Sequence, residues 1–394
     1  MVKRLAYFVS HPIQYQAPLL RLIAADSDID LEVFFFSDFS VREYVDPGFG
    51  KAIQWDVPLT EGYKHHFLDT WGSKERHSWV KQPIAKNITQ LLKQGNFDAV
   101  WVHGWFWVCS LQAILAANRL EIPVLLRGES NGLDEPIGGL KKSVKSAFLK
   151  WLFDRVSAFL YVGTLNYQFY QRYGVSEERL FSMPYAVNND YFQEKASIAH
   201  QSRETLRESL GLDQDRPIIL FAAKLIPKKR PQDVLAAYRL LSDDGHAEPE
   251  PYLLFVGDGE LRSQLEVEAK STGWNSIRFL GFWNQSKIPE IYDLCDCFVL
   301  ASDFEPWGLA INEVMNAGKA IIVSDAAGCA VDLVQHQENG WIFRVGDVKG
   351  LAEGINWAIA HTEGAGKESL ERIKNWSFNE DIIGLKSCLA HLKS

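Results

Sequence analysis

Cys297-Phe298-Val299-Leu300-Ala301-Ser302-Asp303-Phe304-Glu305-Pro306-Trp307-Gly308-Leu309-Ala310-Ile311-Asn312-Glu313 passes from an unbroken apolar run, through a short polar loop, into a second apolar stretch of longer period. By length and composition Cys297 to Ala301 reads as a buried strand, and Leu309 to Ala317 as a helix closed by Gly318. Glu305 then stands on the loop and Glu313 inside the helix. The backbone amides of Trp307, Gly308 and Leu309 fall between them, at a helix N-terminus where unpaired donors and the helix dipole stabilise an anion. Two acceptor side chains flanking an anion cradle suit a ligand carrying both hydroxyls and phosphate.

The same strand-then-helix alternation extends outward in both directions. Strands are predicted at Leu5–Ser10, Asp30–Phe36, Ala99–His103, Val124–Arg127, Phe159–Val162 and Leu180–Met183. In the second half they are predicted at Pro217–Ala222, Tyr252–Val256, Ile277–Leu280, Cys297–Ala301, Ala320–Val323 and Gly340–Phe343. Helical patterns lie between, among them Trp79–Lys93, Val108–Asn118 and Lys141–Phe153. Such alternation gives α/β domains with doubly wound parallel sheets, and ligands of those sheets bind beyond the carboxyl ends of the strands. Between Phe192 and Pro217 large apolar residues are few and charges many, the pattern of a linker leading into a peripheral helix.

Length and charge narrow the class. A chain of 394 residues exceeds one ordinary core, so two domains are expected. The composition, 47% apolar and 23% charged, is that of a globular protein, and the net charge of −9 argues against a nucleic-acid binder. Residues 1 to 195 are close to neutral, so the excess negative charge lies in the second half. The five cysteines contain no CxxC pair, which fits a reduced cytoplasmic chain with neither a disulfide framework nor a zinc site. The stretch Leu5 to Val9 is too short for a signal peptide, and no run reaches the about 18 apolar residues of a membrane span.

Phe221-Ala222-Ala223-Lys224-Leu225-Ile226-Pro227-Lys228-Lys229-Arg230-Pro231 follows the first strand of the second half, where a ligand crevice should open. Lys224 and Lys229 on this loop could bring both ammonium groups onto one diphosphate; the alternative is a solvated basic loop. Val256-Gly257-Asp258-Gly259 is a glycine turn leading into a helix, which lets backbone approach a ligand closely, although the same turn occurs without one.

Taken in order, these motifs resemble the family-4 glycosyltransferases of the GT-B class. Glu305-Pro306-Trp307-Gly308-Leu309 through Glu313 resembles the family's pair of glutamates separated by seven residues. Ala223-Lys224-Leu225 with Lys229 resembles its basic phosphate loop. Val256-Gly257-Asp258-Gly259 and Phe279-Leu280-Gly281 resemble the turns near its nucleotide, and Ser324-Asp325-Ala326-Ala327-Gly328 stands where relatives have a Gly-containing loop beneath the donor. Trp376-Ser377-Phe378 resembles the entry to a last helix that crosses back onto the first domain.

The resemblance implies two Rossmann-like domains with parallel sheets facing across a cleft. An acceptor domain would cover residues 1–195 with a crossing helix at about 376–394, and a nucleotide-sugar donor domain residues 196–375. It implies a retaining transferase, without metal or other cofactor, that moves a sugar from a nucleoside-diphosphate donor to a glycan, glycolipid or other hydroxyl acceptor in bacterial glycan, polysaccharide or glycolipid assembly. Lys224 and Lys229 would neutralise the departing diphosphate, Glu305 would accept from donor-sugar hydroxyls, and Glu313 from the ribose diol. Trp307, Gly308, Leu309 and Gly257 would line the donor, and the base would sit near Phe279 to Trp283, with Phe282 among its contacts. A sugar-nucleotide epimerase or hydrolase of the same fold, or a non-catalytic binding module, are the alternatives.

The first half matches less well. Ser10-His11-Pro12-Ile13-Gln14-Tyr15 occupies the place of a glycine-rich loop, so that His11, Gln14 and Tyr15 either contact a substrate or form a structural loop held by prolines. His103 ends a strand and is a catalytic candidate, the alternative being a satisfied structural histidine. Arg127-Gly128-Glu129 stands where relatives commonly show His-Gly, and Arg127 and Glu129 either serve the site or pair with each other. Trp101, Trp105, Phe106 and Trp107 flank His103 as an acceptor platform or as core. Lys141, Lys142, Lys145 and Lys150 accompany an apolar helix that either lies on anionic lipid at the inner face of a membrane or is an ordinary surface helix. A metal-dependent glycosyltransferase fold is opposed by Asp28-Ile29-Asp30, which reads as a surface turn, and a nicotinamide enzyme by the prolines of the His11 loop.

Overall fold

The computed structural model describes residues 2–46, 48–72, 82–133, 138–243, 250–271 and 273–392. Its contacts divide the chain into two compact units. The first comprises Met1–Tyr44, Val57–Tyr185 and Phe378–Ser394, the second Val45–Asp56 and Ala186–Ser377.

Through the first 185 residues the strands are β1 (Lys3–Val9), β2 (Ile29–Phe35), β3 (Tyr44–Asp46), β4 (Lys51–Ile53), β5 (Lys64–Phe67), β6 (Thr70–Trp71), β7 (Ile84–Ala85), β8 (Ala99–His103), β9 (Val124–Arg127), β10 (Ala158–Tyr161) and β11 (Leu180–Ser182). The first unit's sheet has the order β11-β10-β9-β8-β1-β2-β5, with every neighbouring pair parallel. Helices on its faces cover strands that are apolar on both sides. Leu5 to Val9 are all buried, as an interior parallel strand requires.

The second unit's strands are β12 (Ile218–Ala222), β13 (Tyr252–Val256), β14 (Ile277–Gly281), β15 (Cys297–Leu300), β16 (Ala320–Ser324) and β17 (Gly340–Phe343). They form a sheet of order β14-β13-β12-β15-β16-β17, again parallel throughout. Its core is built from Ile219, Phe221, Leu253, Phe255, Val299 and Ile322 with the helix residues Val234, Leu235 and Tyr238.

Three expectations need correction. Of the helix expected over Trp79–Lys93, residues 79–81 lie outside the described residues, Ile84–Ala85 is a strand, and the helix is Ile88–Gly95. The stretch from Phe192 holds helices Asn189–Gln201 and Arg203–Ser209, both in the second unit, so the unit boundary falls at Tyr185. Only a narrow stripe of the first helix, Phe192, Ala196 and Ala199, is buried, and that sparse apolar content mimics a linker. The helix after Glu305 ends at Met315, with its final turn tightening toward Gly318.

Among the described residues no helix is long and apolar enough to cross a membrane. All five cysteines are buried and free.

Candidate active site

A parallel sheet presents all its strand C-termini at one edge, so the loops after β12, β13, β14, β15 and β16 share that edge of the second unit. Lys224, Gly257, Phe282, Glu305 and Ser324 all lie there. The loops are laced together through backbone. Ala223 N donates to Val256 O at 3.0 Å, Leu225 N to Asp258 O at 2.8 Å, and Asp303 N to Lys228 O at 3.0 Å. Gly257 has φ +131°, and a Cβ on it would collide with the Ala223 carbonyl. The close approach this glycine permits is therefore to the Lys224 loop, where the sequence suggested a ligand. It fixes where Lys224 emerges.

Lys224 and Lys229 of the basic loop each hold a carboxylate. Lys229 Nζ donates to Glu305 Oε2, which Ser302 Oγ also reaches at 3.2 Å. Lys224 Nζ donates to Asp46 Oδ1 at 2.7 Å. Glu305 is positioned by its backbone: its N–H donates to Ala326 O and its carbonyl accepts from Gly328 N, both at 3.0 Å. The Ser324–Gly328 loop thus runs beside it as a short parallel bridge.

Gly308 turns the chain with φ +110° into the helix Leu309–Met315. A Cβ there would meet Leu300 Cδ2 at 2.9 Å, so the turn admits only glycine without rearrangement. The Trp307 indole is buried, donates to Asn312 Oδ1 at 2.9 Å and packs on Trp376 at 5.1 Å. Its side chain belongs to the core, which leaves only its backbone for a donor role.

Glu313 accepts from Tyr292 Oη at 2.7 Å and Gln285 Nε2 at 3.1 Å. Burial pushes its carboxyl above the usual range, and these two hydrogen bonds oppose that only in part. Phe282 meets Phe49 edge-on at 5.0 Å. Sequence reasoning missed Asp46, Phe49, Gln285 and Tyr292, whose partners lie 21 to 233 positions away along the chain (46 to 224, 49 to 282, 285 and 292 to 313), and it passed over Ser302, which reaches Glu305 from within the same loop.

The first unit gathers a second cluster at its own strand ends. His103 ends β8 and is nearly buried. Gln16 Nε2 lies 3.2 Å from its Nε2, Tyr185 Oη 3.4 Å and Glu129 Oε1 3.7 Å. Burial lowers the His103 pKa against the opposing pull of Glu129, which favours the neutral ring at neutral pH. Burial pushes Glu129 up, but hydrogen bonds from His103 and Tyr185 outweigh it, and the carboxyl ends below its usual range. Gln16 in turn accepts from Tyr7 Oη at 3.0 Å. Gln16 and Tyr185 are the members that sequence reasoning overlooked.

Arg127 does not pair with Glu129. Its Nη2 reaches Asp381 Oδ1 at 2.9 Å, Met183 O at 3.0 Å and Pro184 O at 2.7 Å, and the guanidinium lies over the Tyr185 ring at 5.0 Å. At 2% exposure it is a buried structural cation and is unavailable to a ligand. His11 Nδ1 lies 2.8 Å from Ser10 Oγ and its ring packs on Phe39 at 4.2 Å. Gln14 is half-buried in the following turn, and Tyr15 meets Tyr185 edge-on at 5.9 Å. Trp101 and Trp107 are core residues, whereas Phe106 is 44% exposed. Among the described residues, no group of three or more His, Cys, Asp or Glu side chains could hold a metal ion.

Two doubly wound parallel-sheet units with their motif loops at the strand C-termini define the GT-B class. The HepE protein of Anabaena, solved in complex with UDP and glucose, has the same fold, with a TM-score of 0.69 at 16% identity over 98% of this chain and 99% of that one. Residues 202–376 match the family model described as Glycosyl transferases group 1. An uncharacterized glycosyltransferase of Methanocaldococcus jannaschii is 25% identical over 189 residues, 48% of this chain and 43% of that protein. The N,N'-diacetylbacillosaminyl-diphospho-undecaprenol alpha-1,3-N-acetylgalactosaminyltransferase of Campylobacter jejuni is 26% identical over 281 residues, 69% of this chain and 71% of that one. The chain thus spans under half the length of the first of these relatives.

Proposed function

We propose that the protein is a retaining, metal-independent glycosyltransferase that moves a sugar from a nucleoside-diphosphate donor to a hydroxyl of a glycan or glycolipid. The observation that carries this reading is that Lys224, Lys229 and Glu305 stand on the strand-end loops of one sheet edge, with Glu313 on the helix that follows, all inside the matched residues 202–376. In this reading Lys224 and Lys229 take the diphosphate oxygens and offset the charge that develops as the phosphate leaves. Glu305 accepts from hydroxyls of the transferred sugar, with the Gly308 turn and the Leu309 backbone beside it. Glu313, with Tyr292 and Gln285 fixing its carboxylate, accepts from the ribose, and Phe282 lies against the base.

The leaving phosphate oxygen takes the acceptor proton as the anomeric bond breaks on the same face. Positioning and electrostatics then supply the rate, and no enzymic nucleophile takes part. His103 and Glu129 are assigned to acceptor recognition in the first unit. The Campylobacter relative, named for transfer to a diphospho-undecaprenol-linked sugar, supports a lipid-linked acceptor. So does the helix Leu140–Phe153, where Val144 and Trp151 are exposed among Lys141, Lys142, Lys145 and Lys150, a face suited to the inner surface of a membrane.

Product analysis with UDP-, GDP-, ADP- and CMP-sugars, with and without acceptors, tests the reading. The expected result is nucleoside diphosphate together with a glycosylated acceptor of unchanged anomeric configuration. Free sugar formed without acceptor would point to an epimerase or hydrolase instead, and no turnover of any donor to a binding module.

A further inference from the structure

Val45–Asp56 is the one part of the first 185 residues that belongs to the second unit. Its strands β3 and β4 pair with each other, and the segment lies on the candidate donor loops. Asp46 Oδ1 accepts from Lys224 Nζ at 2.7 Å, and Lys51 Nζ donates to Asp258 Oδ2 at 2.8 Å. Gly48 packs flat on the Lys224 side chain, where a Cβ would come within 2.6 Å of its Cδ. The Phe49 ring lies 4.8 Å from Lys224 Nζ and edge-on to Phe282 at 5.0 Å. Trp55 also reaches Phe282, at 6.4 Å, and Asn284 Nδ2 donates to Gln54 O at 2.7 Å.

This segment offers a carboxylate to an ammonium group and a flat aromatic ring to Phe282. A nucleotide offers an anionic phosphate and a flat base to the same two places. We propose that the Val45–Asp56 segment is a built-in competitor of the nucleotide: Asp46 holds Lys224, Phe49 holds the surface at Phe282, and both must withdraw before a diphosphate reaches Lys224. A carboxylate and a diphosphate oxygen near one ammonium group repel each other, and at Lys224 the backbone of Gly48 and the ring of Phe49 also cover the side chain, so the segment and the diphosphate compete for it. The inference rests on the reading of Lys224 as a diphosphate ligand.

Two ion pairs, the packing of Phe49, Lys51 and Trp55 on Phe282, and the hydrogen bonds of Gln54 and Asp56 to Asn284 and Ser286 hold the segment, and substitutions at Asp46 and Lys51 loosen it while every donor residue is kept. In Asp46→Asn the side-chain oxygen still accepts from Gly48 N and Phe49 N, now at 2.8 and 3.1 Å, so the turn persists while the charge is lost. Lys51→Ala releases the second anchor. It also removes a positive charge, which taken alone weakens anion binding, whereas release of the segment strengthens it.

Isothermal titration of the full chain with inorganic pyrophosphate, and separately with UDP, decides the matter in wild type, Asp46→Asn, Lys51→Ala and Lys224→Ala. Both loosened variants are expected to bind about 1.5- to fivefold more tightly than wild type, the range for relief of a partly exposed ion pair, and Lys224→Ala more weakly. Unchanged or weaker binding in Asp46→Asn, with Lys224→Ala impaired, would overturn the competitor and leave the donor site standing. Tightening in Asp46→Asn alone would reduce the effect to bulk charge and also overturn it. Unchanged binding in Lys224→Ala would remove the donor reading and this inference together.

Discussion

Replacing Arg127 by methionine is the perturbation whose cost the structure defines best. The guanidinium is 2% exposed and Asp381, its partner 2.9 Å away, is fully buried. The same Nη2 also holds the carbonyls of Met183 and Pro184, immediately before the chain leaves the first unit. Among the described residues Arg127 Nε and Asp381 Oδ2 have no hydrogen-bond partner, so the pair is satisfied on one side only. Removing one member of a buried pair leaves an uncompensated charge and costs about 3–5 kcal/mol, a large part of the roughly 5–15 kcal/mol that holds a domain.

The cost depends on pH. Burial pushes the Asp381 carboxyl up to about 7 against the pull of Arg127. A carboxyl raised in the folded state contributes stability in full below its unfolded pKa of about 4 and loses it as pH rises through the folded value. In wild type that loss falls between about pH 4 and 7. Without Arg127 the folded pKa climbs further, so Arg127→Met should destabilise most at pH 8 and distinctly less at pH 5.5, where Asp381 can take up a proton. Arg127→Met with Asp381→Leu removes both charges and should recover most of the loss. Urea denaturation of the full chain at the two pH values, following the transition of the first unit, measures all three proteins. A cost below about 1 kcal/mol for Arg127→Met at pH 8, or a double variant no more stable than the single one, would refute the reasoning.

Other substitutions address the second unit and the surface helix. Gly257→Ala forces a side chain against the Ala223 carbonyl at a positive φ; it should cost about 1–3 kcal/mol and weaken nucleotide binding by displacing Lys224, as a lowered Tm and a raised Kd would show. Glu305→Ala should reduce transfer by at least about 10²-fold with Tm little changed, and transfer near the wild-type rate would exclude its assigned role. Vesicles containing anionic lipid should float the protein at low salt, and Val144→Glu with Trp151→Glu should abolish flotation.

Apart from the polar edge strand β5, the parallel strands were legible because a strand buried on both faces must be an unbroken apolar run, and Tyr252–Val256 or Ala99–His103 can be little else. Short polar strands carry no such mark. β3 and β4 passed unnoticed, and with them the membership of Val45–Asp56 in the second unit. The chemistry-bearing loops were visible through residue type and spacing, yet their internal pairing was not. Arg127 finds its partner 254 positions away, and nothing near either residue announces it. The Gly257 turn shows the same limit: its backbone freedom was readable, but which surface it approaches depends on the neighbouring strand.

The central claim is that the strand-end loops of the second unit hold a nucleoside-diphosphate sugar through Lys224, Lys229, Glu305 and Glu313. Thermal-shift titration with UDP-, GDP-, ADP- and CMP-sugars tests it most directly, because a ligand that binds only the folded state raises its stability by mass action. The account predicts that sugars of one nucleotide raise Tm in a saturable way, and that Lys224→Ala and Glu313→Ala each abolish the rise. No rise with any donor at millimolar concentration, or a rise untouched by both substitutions, would contradict it.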